Sequence, residues 1–449
     1  MRDFSELIVM KFGGTSVGSA DRIKYVASLI EDDRFKIVVL SAMSGVTNTL
    51  VEISDHFAHS NVQGALGLID ELEQKYYHTI DALYESKESQ TLAKVFVDEK
   101  MSFLRGFETE SLFSDYETKQ VLGQGEIISV RMMELYLKEK GKNPIRLSAL
   151  DFICTDQYGE PDFPRIQDRL LQTMADYSTE TLFLTEGYIC LNAYSEMDNL
   201  KRGGSDYTAT IIGSVLDAKE IQIWTDIDGM HNNDPRVVEQ TRPVRTLHYD
   251  EASELAYFGA KILHPSCIIP AKMANVPVKL LSTMDPQAKG TLISNRMDEG
   301  ALKAIAAKDG VTVLRIRSTR LLLSYGFLRK IFEVFEANRT PIDMVTTSEV
   351  SVSVSITDTD RLEDILANLR RFSTVTLDAP MTILCIAGDL NWKNVGFESR
   401  VIEAVKDLPV RMISFGGSDH NVSVVVRAED KELAMNQLHK HLFMEPEDE

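Results

Sequence analysis

The sequence predicts an α/β protein in which a mostly parallel sheet lies between helices and is followed by two ferredoxin-like βαββαβ units. Three observations support this prediction. Short apolar runs alternate with helical patterns over roughly the first two thirds of the chain. The first apolar run leads into a glycine-rich turn and a helix, as in many parallel sheets. The last third carries two weakly similar units spaced about 70 residues apart.

Size, charge and cysteine usage limit the class of protein. With 449 residues, the chain is long enough for two or three domains, each with its own core. The formal net charge of −20 argues against nucleic acid or an anionic membrane as the main partner, because long-range repulsion opposes their approach. The four cysteines are scattered, which favours reduced thiols over a disulfide framework or a zinc site. Charged residues interrupt the first ten positions, so we expect no signal peptide and a cytoplasmic location.

The first predicted element is a buried strand, Leu7–Met10, followed by Lys11, two glycines and two hydroxyl residues. A helical pattern, Asp21–Ile30, comes next. Glycines let the backbone approach an anion, N–H groups at a helix start point towards it, and Lys11 adds a full positive charge. The stretch predicts a phosphate-binding turn, although alone it is equally compatible with an ordinary tight turn.

The elements that follow continue the α/β pattern. A second strand, Lys36–Leu40, precedes a run of small and polar residues. Residues 55–119 are rich in Glu, Gln, Lys and Leu, which predicts a mainly helical insertion with a solvated charged face. The sequence Gly-Gln-Gly-Glu at 123–126 then leads into an amphipathic helix, Ile127–Lys140. Further strands are predicted at Ile145–Leu147, Leu182–Thr185 and Ile221–Thr225, and further helices at Ile166–Met174 and Tyr207–Leu216.

The first C-terminal unit is predicted to run strand, helix, strand, strand, helix and strand, which is the ferredoxin-like order, and the second repeats this order up to its second helix. The second unit lacks its last strand, because only a short acidic stretch remains after its final helix. We expect Leu302–Ala307, which precedes the first unit, to fill this gap in the sheet of the second. Their predicted strands are Val311–Ile316, Ile342–Thr346, Val350–Ile356, Thr374–Leu377, Thr382–Ala387, Val410–Ser414 and Val422–Arg427, and their helices Gly326–Asn338, Arg361–Arg371, Val395–Val405 and Lys431–His441.

Three polar clusters could carry chemistry, and each also has a purely structural interpretation. Residues 201–209 contain an arginine, two glycines and Ser205-Asp206, which suit either an anion clamp or a helix N-cap. Residues 224–236 contain Asp-Gly and Asp-Pro pairs that suit turns. In residues 258–265, His264 before a proline is more typical of structure than of catalysis.

These motifs, taken in order, resemble those of aspartate kinases, and most of all the monofunctional, lysine-sensitive aspartokinase III group. The motifs are K-F-G-G-T-S at 11–16, R-G-G-S-D-Y-T-A at 202–209, W-T-D at 224–226, D-P-R at 234–236 and F-G-A-K-I-L-H-P at 258–265. The resemblance covers nearly the whole chain. It implies an amino-acid-kinase fold at 1–298 with the helical insertion at 55–119, a linker strand plus first ACT unit at 299–380, and a second ACT unit at 381–449.

The resemblance implies transfer of the ATP γ-phosphoryl group to the β-carboxylate of L-aspartate, with Mg²⁺ carried on the ATP phosphates and no dedicated metal ligands in the protein. Lys11 and Asp206 are the implied catalytic residues, Asp206 holding the lysine in place. The implied ATP-binding residues are Lys11, Phe12, Gly13, Gly14, Thr225, Asp226, His231, Arg236, Lys261 and Ile262. The implied aspartate-binding residues are Ser41, Thr47, Glu126, Arg202, Gly203, Gly204 and Ser205, with Arg202 on a carboxylate and Glu126 on the ammonium. His231 departs from the tyrosine usual in bacterial lysine-regulated members.

The resemblance also implies feedback regulation, with an amino-acid effector bound between ACT units of a homodimer or homotetramer. The positions that match the lysine site are Leu321, Ser324, Phe327, Asp343, Ser348 and Glu349. Leu321 and Leu323 replace a methionine and a histidine common in lysine-inhibited members, so lysine, threonine or no effector all stay open. Because the chain stops after the second ACT unit, a monofunctional enzyme is expected. Another amino-acid kinase and an amino-acid sensor with an inactive kinase domain are the alternatives.

Overall fold

The computed structural model describes residues 3–110, 112–200, 203–260, 263–317 and 326–444. Two compact units divide the chain, which we call the first lobe (Met1–Met230 with Ile262–Asn295) and the second lobe (His231–Lys261 with Arg296–Glu449). This division is based on compactness alone, and the domain boundaries expected from the sequence stay a prediction. Among the described residues, every helix is too short or too polar to cross a bilayer.

The strands, in chain order, are β1 (Ile8–Phe12), β2 (Lys36–Leu40), β3 (Ile145–Leu147), β4 (Leu182–Glu186), β5 (Ile189–Leu191), β6 (Met197–Asn199), β7 (Glu220–Thr225), β8 (Met230–His231), β9 (Pro243–Val244), β10 (Thr246–His248), β11 (Val278–Ser282), β12 (Thr291–Ser294), β13 (Leu302–Arg317), β14 (Met344–Thr347), β15 (Ser351–Ile356), β16 (Thr374–Gly388), β17 (Met412–Ser414) and β18 (Asn421–Arg427).

The helices are α1 (Ala20–Leu29), α2 (Val46–Ala58), α3 (Val62–Leu83), α4 (Lys87–Gly106), α5 (Asp115–Leu122), α6 (Gln124–Glu139), α7 (Ala149–Phe152), α8 (Phe163–Met174), α9 (Gly204–Val215), α10 (Tyr249–Tyr257), α11 (Pro265–Ala274), α12 (Phe327–Ala337), α13 (Leu362–Leu369), α14 (Phe397–Ala404) and α15 (Lys431–His439). Each helix predicted above is present, with ends that differ by a few residues.

The first lobe is built on a mostly parallel sheet with the strand order β12-β11-β7-β1-β2-β4-β3. All neighbouring pairs from β11 to β3 are parallel, and β12 is antiparallel to β11. Every residue of β1 and of β2 is buried, as expected for central strands covered by helices on both faces. Parallel strands end at the same edge, so the segments that follow β7, β1, β2 and β4 become neighbours.

The segment predicted as a helical insertion, 55–119, contains the end of α2, all of α3 and α4, and the first part of α5. Along α3 the buried residues recur every three or four positions (Ala65, Ile69, Leu72, Tyr76, Ile80 and Leu83), so one face packs inward while the charged face meets solvent. These residues join the core that also contains β1, β2 and α6. The charged residues of α3 therefore lie on a solvent-exposed helix face, as the sequence predicted.

The second lobe contains one six-stranded sheet, β14-β15-β13-β16-β18-β17, that both ferredoxin-like units share. The expectation for Leu302–Ala307 is confirmed, because this segment pairs with residues 384–388 of the second unit. The second half of β13, from Val311, pairs instead with residues 374–381 of β16. Separate cores lie under the two units, one around α12 and α13 and one around α14 and α15.

Two strand boundaries were predicted wrongly. The predicted strands at 302–307 and 311–316 form the single strand β13, and those at 374–377 and 382–387 form the single strand β16. Asp309-Gly310 resembles a turn in the sequence, but in the structure it forms an irregularity in the ladder, where Gly310 has a φ of +73°. A bulge absorbs such residues without ending the strand.

Candidate functional site

The candidate site lies in the first lobe, at the carboxyl edge of its sheet. Gly13-Gly14 follow β1, Ser41 follows β2 and Gly187 follows β4. Ser41 donates its backbone N–H to the Phe12 carbonyl (3.2 Å), and Gly187 donates to the Leu40 carbonyl (3.0 Å), so the three turns are joined by hydrogen bonds. The sheet thus brings together residues that are far apart in sequence.

Lys11 and Asp206 form an ion pair at this edge. Lys11 Nζ lies 2.7 Å from Asp206 Oδ1, and the two side chains are 11% and 18% exposed. Lys11 belongs to β1, and Asp206 lies in the first turn of α9. A partly buried carboxylate of this kind holds the ammonium in one position. Among the residues that the structure describes, Asp206 is the ion-pair partner of the ammonium, which leaves N–H directions for a ligand.

The glycines beside Lys11 allow a close approach of the backbone. A Cβ at Gly14 would lie 2.8 Å from the Ala42 carbonyl oxygen, so any side chain there would clash with the turn after β2. A Cβ at Gly13 would lie 3.4 Å from Lys11 Nζ, which places that turn directly beside the ammonium. The turn therefore has the compact shape of an anion cradle.

Helix α9 begins next to this cradle with its first turn uncapped by a side chain. Its N-cap, Gly203, has a φ of +88°, and a Cβ there would lie 2.5 Å from Cys267 Sγ. A Cβ at Gly187 would lie 2.4 Å from Ser205 Cβ, so the end of β4 and the start of α9 are in close contact. Helix α2 also begins at a glycine N-cap, Gly45, without a side-chain cap. Both N-termini present backbone N–H groups that suit negatively charged ligands.

Glu126 is a buried carboxylate at the start of α6. Its side chain is 4% exposed, and burial raises its pKa to about 7, while the Ala42 N–H and the Lys11 charge oppose the rise. Gly125 lets the start of α6 pack closely against the turn after β2, because a Cβ at Gly125 would lie 2.7 Å from Ala42 Cβ. Glu126 Oε2 has no hydrogen-bond partner among the described residues. A cationic ligand would satisfy that oxygen and favour the ionised form.

Two buried residues near Glu126 were missed by the sequence analysis. Glu186, at the end of β4, accepts a hydrogen bond from the Ala149 N–H (2.9 Å), and burial raises its pKa. The Glu186 charge also contributes to the raised pKa of Glu126. The Tyr76 hydroxyl, from α3, is fully buried and has no hydrogen-bond partner within the described residues. Glu186-Gly187 after a strand was a visible signal, but nothing in the sequence pointed to Tyr76.

Some predicted site residues are not described by the structure. Of the predicted ligand-binding residues, those outside the described ranges are Arg202, Lys261, Ile262, Leu321 and Ser324. Among the described residues, Ser41, Thr47 and Ser205 are half-buried, and Gly203 and Gly204 begin α9. Thr225 ends β7, and Asp226 is exposed beyond it.

His231 and Arg236, predicted to bind the nucleotide, lie in the second lobe. His231 Nδ1 lies 2.9 Å from Thr241 Oγ1. Arg236 donates two hydrogen bonds to the Asp234 carboxylate, from Nε (2.9 Å) and from a terminal nitrogen (2.6 Å). Its side chain is 71% exposed. To bind a phosphate, the Arg236 guanidinium would have to give up its hydrogen bonds to the Asp234 carboxylate.

The predicted effector residues of the second lobe have different environments. Phe327 is buried in the core under α12, whereas Ser348 and Glu349 are exposed in the turn between β14 and β15. The Asp343 side chain is 3% exposed, and its carboxylate accepts hydrogen bonds from Lys308 Nζ (2.6 Å) and from two hydroxyls, those of Tyr257 (3.0 Å) and Thr357 (2.7 Å). Its carboxylate is therefore already satisfied within the chain.

Comparisons with known proteins agree with this architecture. The amino acid kinase family matches residues 6–282, and the ACT domain matches residues 384–442. The lysine-sensitive aspartokinase 3 of Escherichia coli is 30% identical over 98% of this chain and 100% of its own length. The chloroplastic aspartokinase 1 of Arabidopsis thaliana is 33% identical over 97% of this chain and 80% of its own.

Solved structures of E. coli aspartokinase III are also similar. The complex with aspartate and ADP, called the R-state, aligns with a TM-score of 0.85 at 28% identity and covers 98% of this chain and 100% of that one. The complex with lysine and aspartate, called the T-state, has a TM-score of 0.79 at 29% identity with the same coverage. The predicted fold class, an amino-acid-kinase fold followed by ACT units, is confirmed. The chain belongs to the amino acid kinase family and, within it, to the aspartokinases.

Proposed function

We propose that this protein is an aspartate kinase, which phosphorylates the β-carboxylate of L-aspartate with ATP to give 4-phospho-L-aspartate, the first step of lysine, threonine and methionine biosynthesis. The observation that carries the proposal is the Lys11–Asp206 pair beside the glycine turn, 2.7 Å long. The full-length similarity to aspartokinases supports it, including a relative crystallised with aspartate and ADP.

The reaction needs charge neutralisation more than acid–base catalysis. An aspartate carboxylate has a pKa of about 4 and is ionised at neutral pH, so it attacks the γ-phosphorus without a general base. A bond forms from the carboxylate oxygen to phosphorus, the bond from phosphorus to the ADP oxygen breaks, and ADP leaves. Lys11 and the uncapped start of α9 would stabilise the negative charge on the transferring group.

Glu126 is proposed to bind the ammonium of aspartate and so to select an amino acid over a simple diacid. Its burial supports this role, as does its Oε2, which has no hydrogen-bond partner in the described part of the chain. Arg202 would hold a substrate carboxylate, and Ser41, Thr47 and Ser205 would provide hydroxyl contacts. Thr225, Asp226, His231, Arg236, Lys261 and Ile262 are proposed for the nucleotide, together with Phe12, Gly13 and Gly14.

Mg²⁺ is proposed to enter on the ATP phosphates, where it would neutralise part of their charge. Around the cradle, the described carboxylates already have roles, since Asp206 holds Lys11 and Glu126 is buried. Mg²⁺ carried in this way keeps mostly phosphate and water ligands, as is usual for this ion in phosphoryl-transfer sites.

An aspartate-dependent hydroxamate assay with ATP and Mg²⁺ tests the proposal and separates the alternatives. Hydroxamate formation with aspartate but not with glutamate supports an aspartate kinase. A preference for glutamate would indicate a different amino-acid kinase. If the folded protein binds amino acids but makes no acyl phosphate with either substrate, the inactive-sensor alternative holds.

Feedback inhibition is proposed to act through the ACT units, with lysine as the first candidate effector and a homodimer or homotetramer as the assembly. Because Asp343 is satisfied by its own chain, Glu349 is the better candidate for the effector ammonium. A coupling free energy of about 1–3 kcal/mol would be enough for inhibition. Titration of activity with lysine, threonine and methionine identifies the effector, and unchanged activity at millimolar lysine would eliminate lysine.

A further inference from the structure

The second lobe contains a cluster of two imidazoles and one carboxylate that the proposed kinase chemistry does not use. His248 Nδ1 lies 3.5 Å from Asp250 Oδ2, and His420 Nε2 lies 3.8 Å from the same oxygen. The two imidazole rings are 5.7 Å apart between centroids, with 30° between their planes. One potential ligand atom of each residue lies within 4.8 Å of the other two.

Two elements that are distant in sequence supply these side chains. His248 ends β10, and Asp250 lies in the first turn of α10. His420 immediately precedes β18 of the second ferredoxin-like unit. The neighbouring Asn421 side chain donates a hydrogen bond to Glu254 of α10, and the His420 backbone N–H donates to Ser418 Oγ (3.1 Å). The turn that carries His420 is therefore held against α10 independently of the imidazole.

Unsatisfied polar atoms border the cluster. The Glu251 side chain is fully buried. One of its oxygens accepts the His248 backbone N–H (2.7 Å), and the other has no hydrogen-bond partner among residues that the structure describes. His420 Nδ1 is likewise buried and without a described hydrogen-bond partner. Imidazoles that bind metals usually have a carboxylate nearby, which makes them better ligands.

We propose that His248, Asp250 and His420 bind one transition-metal dication of the Zn²⁺ class, with solvent completing the coordination. Ligands about 2.1 Å from a tetrahedral metal lie about 3.4 Å from one another, close to the two separations of 3.5 and 3.8 Å seen here. Two imidazoles and one carboxylate select such metals over Mg²⁺ or Ca²⁺, which prefer oxygen ligands.

Metal binding competes with an existing bond. His248 Nδ1 accepts the Asp250 N–H over 3.2 Å as the N-cap of α10, and a metal on Nδ1 would replace that long hydrogen bond. His248 and Asp250 make further contacts as well. The bound metal would join the start of α10 to the turn before β18 and stabilise that arrangement, whichever reaction the first lobe catalyses.

The test uses the full chain without a histidine tag, stripped of metal with a chelator and titrated with Co²⁺. We expect one equivalent to bind with visible absorption bands of a low-coordinate site, and Zn²⁺ to displace it. His420→Ala and Asp250→Asn should each weaken binding at least about tenfold, because even outer-sphere changes cost that much. His78→Ala, which removes an exposed histidine from α3, is the matched control and should bind like the wild type.

Melting temperatures provide a second readout. Zn²⁺ should raise the melting temperature of the wild type and of His78→Ala, but not that of His420→Ala. In the presence of chelator, the circular dichroism spectra of all variants should agree, which shows that His420→Ala is folded. Absent Co²⁺ absorption in the wild type, or equal affinity in wild type and His420→Ala, would overturn the proposal.

Discussion

Two lysine–aspartate pairs, one in each lobe, have almost the same length but different surroundings. Lys11 and Asp206 are 2.7 Å apart, and Lys308 and Asp343 are 2.6 Å apart. In the first lobe, the pair lies beside a glycine turn and an uncapped helix start. In the second lobe, two hydroxyls donate further hydrogen bonds to the Asp343 carboxylate, and Lys308 Nζ also lies 4.3 Å from the centre of the Tyr257 ring.

The comparison shows that the surroundings of an ion pair, not its length, decide what it can do. Within the described part of the chain, Asp206 is the ion-pair partner of the Lys11 ammonium, so N–H directions are left for a phosphate, as the proposed catalytic role requires. The Lys308 pair ties the end of α10 to strand β13 and to the residue before β14, so it is suited to holding these elements together. The following predictions separate these two roles.

The largest effect is expected for Lys11→Ala. Loss of a charge-stabilising donor typically lowers kcat by about 10²–10³-fold, and turnover should nearly vanish here because the positive charge is lost as well. Steady-state kinetics measure kcat, and circular dichroism checks that the fold is intact. Lys308→Met is the matched control with a comparable pair, and its kcat should stay near that of the wild type. A near-normal kcat for Lys11→Ala would refute the assignment.

Glu126→Gln should raise the KM for aspartate. A hydrogen bond to a charged group is worth about 1.5–3 kcal/mol, which corresponds to roughly 10–150-fold in affinity. Because the isosteric amide keeps the packing, kcat at saturating aspartate should change much less. Glu134→Gln, on the same helix and also buried but paired with Arg131 and Lys138, tests whether any buried glutamate of α6 gives this result. An unchanged KM for aspartate in Glu126→Gln would disprove the ammonium role.

The same glutamate should produce a pH dependence in the wild type. Burial raises the Glu126 pKa to about 7 in the ligand-free protein, so the carboxylate is increasingly protonated as the pH falls below that value. The aspartate ammonium stays protonated over this range and prefers the ionised partner. The KM for aspartate should therefore rise by up to about tenfold per pH unit below 7. In Glu126→Gln this dependence should disappear; if it persists, another group causes it.

Lys308→Met should destabilise the second lobe with little effect on catalysis. It leaves Asp343, 3% exposed, without its ammonium partner, at a cost of about 1–3 kcal/mol in the free energy of unfolding. Tyr257→Phe removes only one neutral donor and should cost about 0.5–1.5 kcal/mol. Denaturant unfolding monitored by hydrogen exchange of the amides of β13 and β15 measures both. Equal stability of Lys308→Met and wild type would mean that the pair contributes nothing.

Much of the fold followed from local patterns. The strands Lys36–Leu40 and Ile145–Leu147 were predicted with the bounds that the structure has. The first is a continuous apolar run after its lysine and the second alternates apolar and polar residues, and both patterns are typical of strands. The joined strands β13 and β16 were not predicted, because residues that are typical of turns, such as Asp309-Gly310, also occur in bulges within a strand. The four cysteines are free and buried, in agreement with the expected reduced thiols.

The sequence by itself determined the glycine turn, the lysine at the end of the first strand and the order of the motifs, because these depend on residues that are neighbours in the chain. Only the tertiary structure decided which groups meet. Asp343 finds Lys308 at a separation of 35 residues and Tyr257 at 86, and Glu126 meets the Ala42 N–H across the sheet edge. The physical reason is that hydrophobic periodicity specifies which face of an element is buried, whereas the partners of a buried charge depend on how those elements pack.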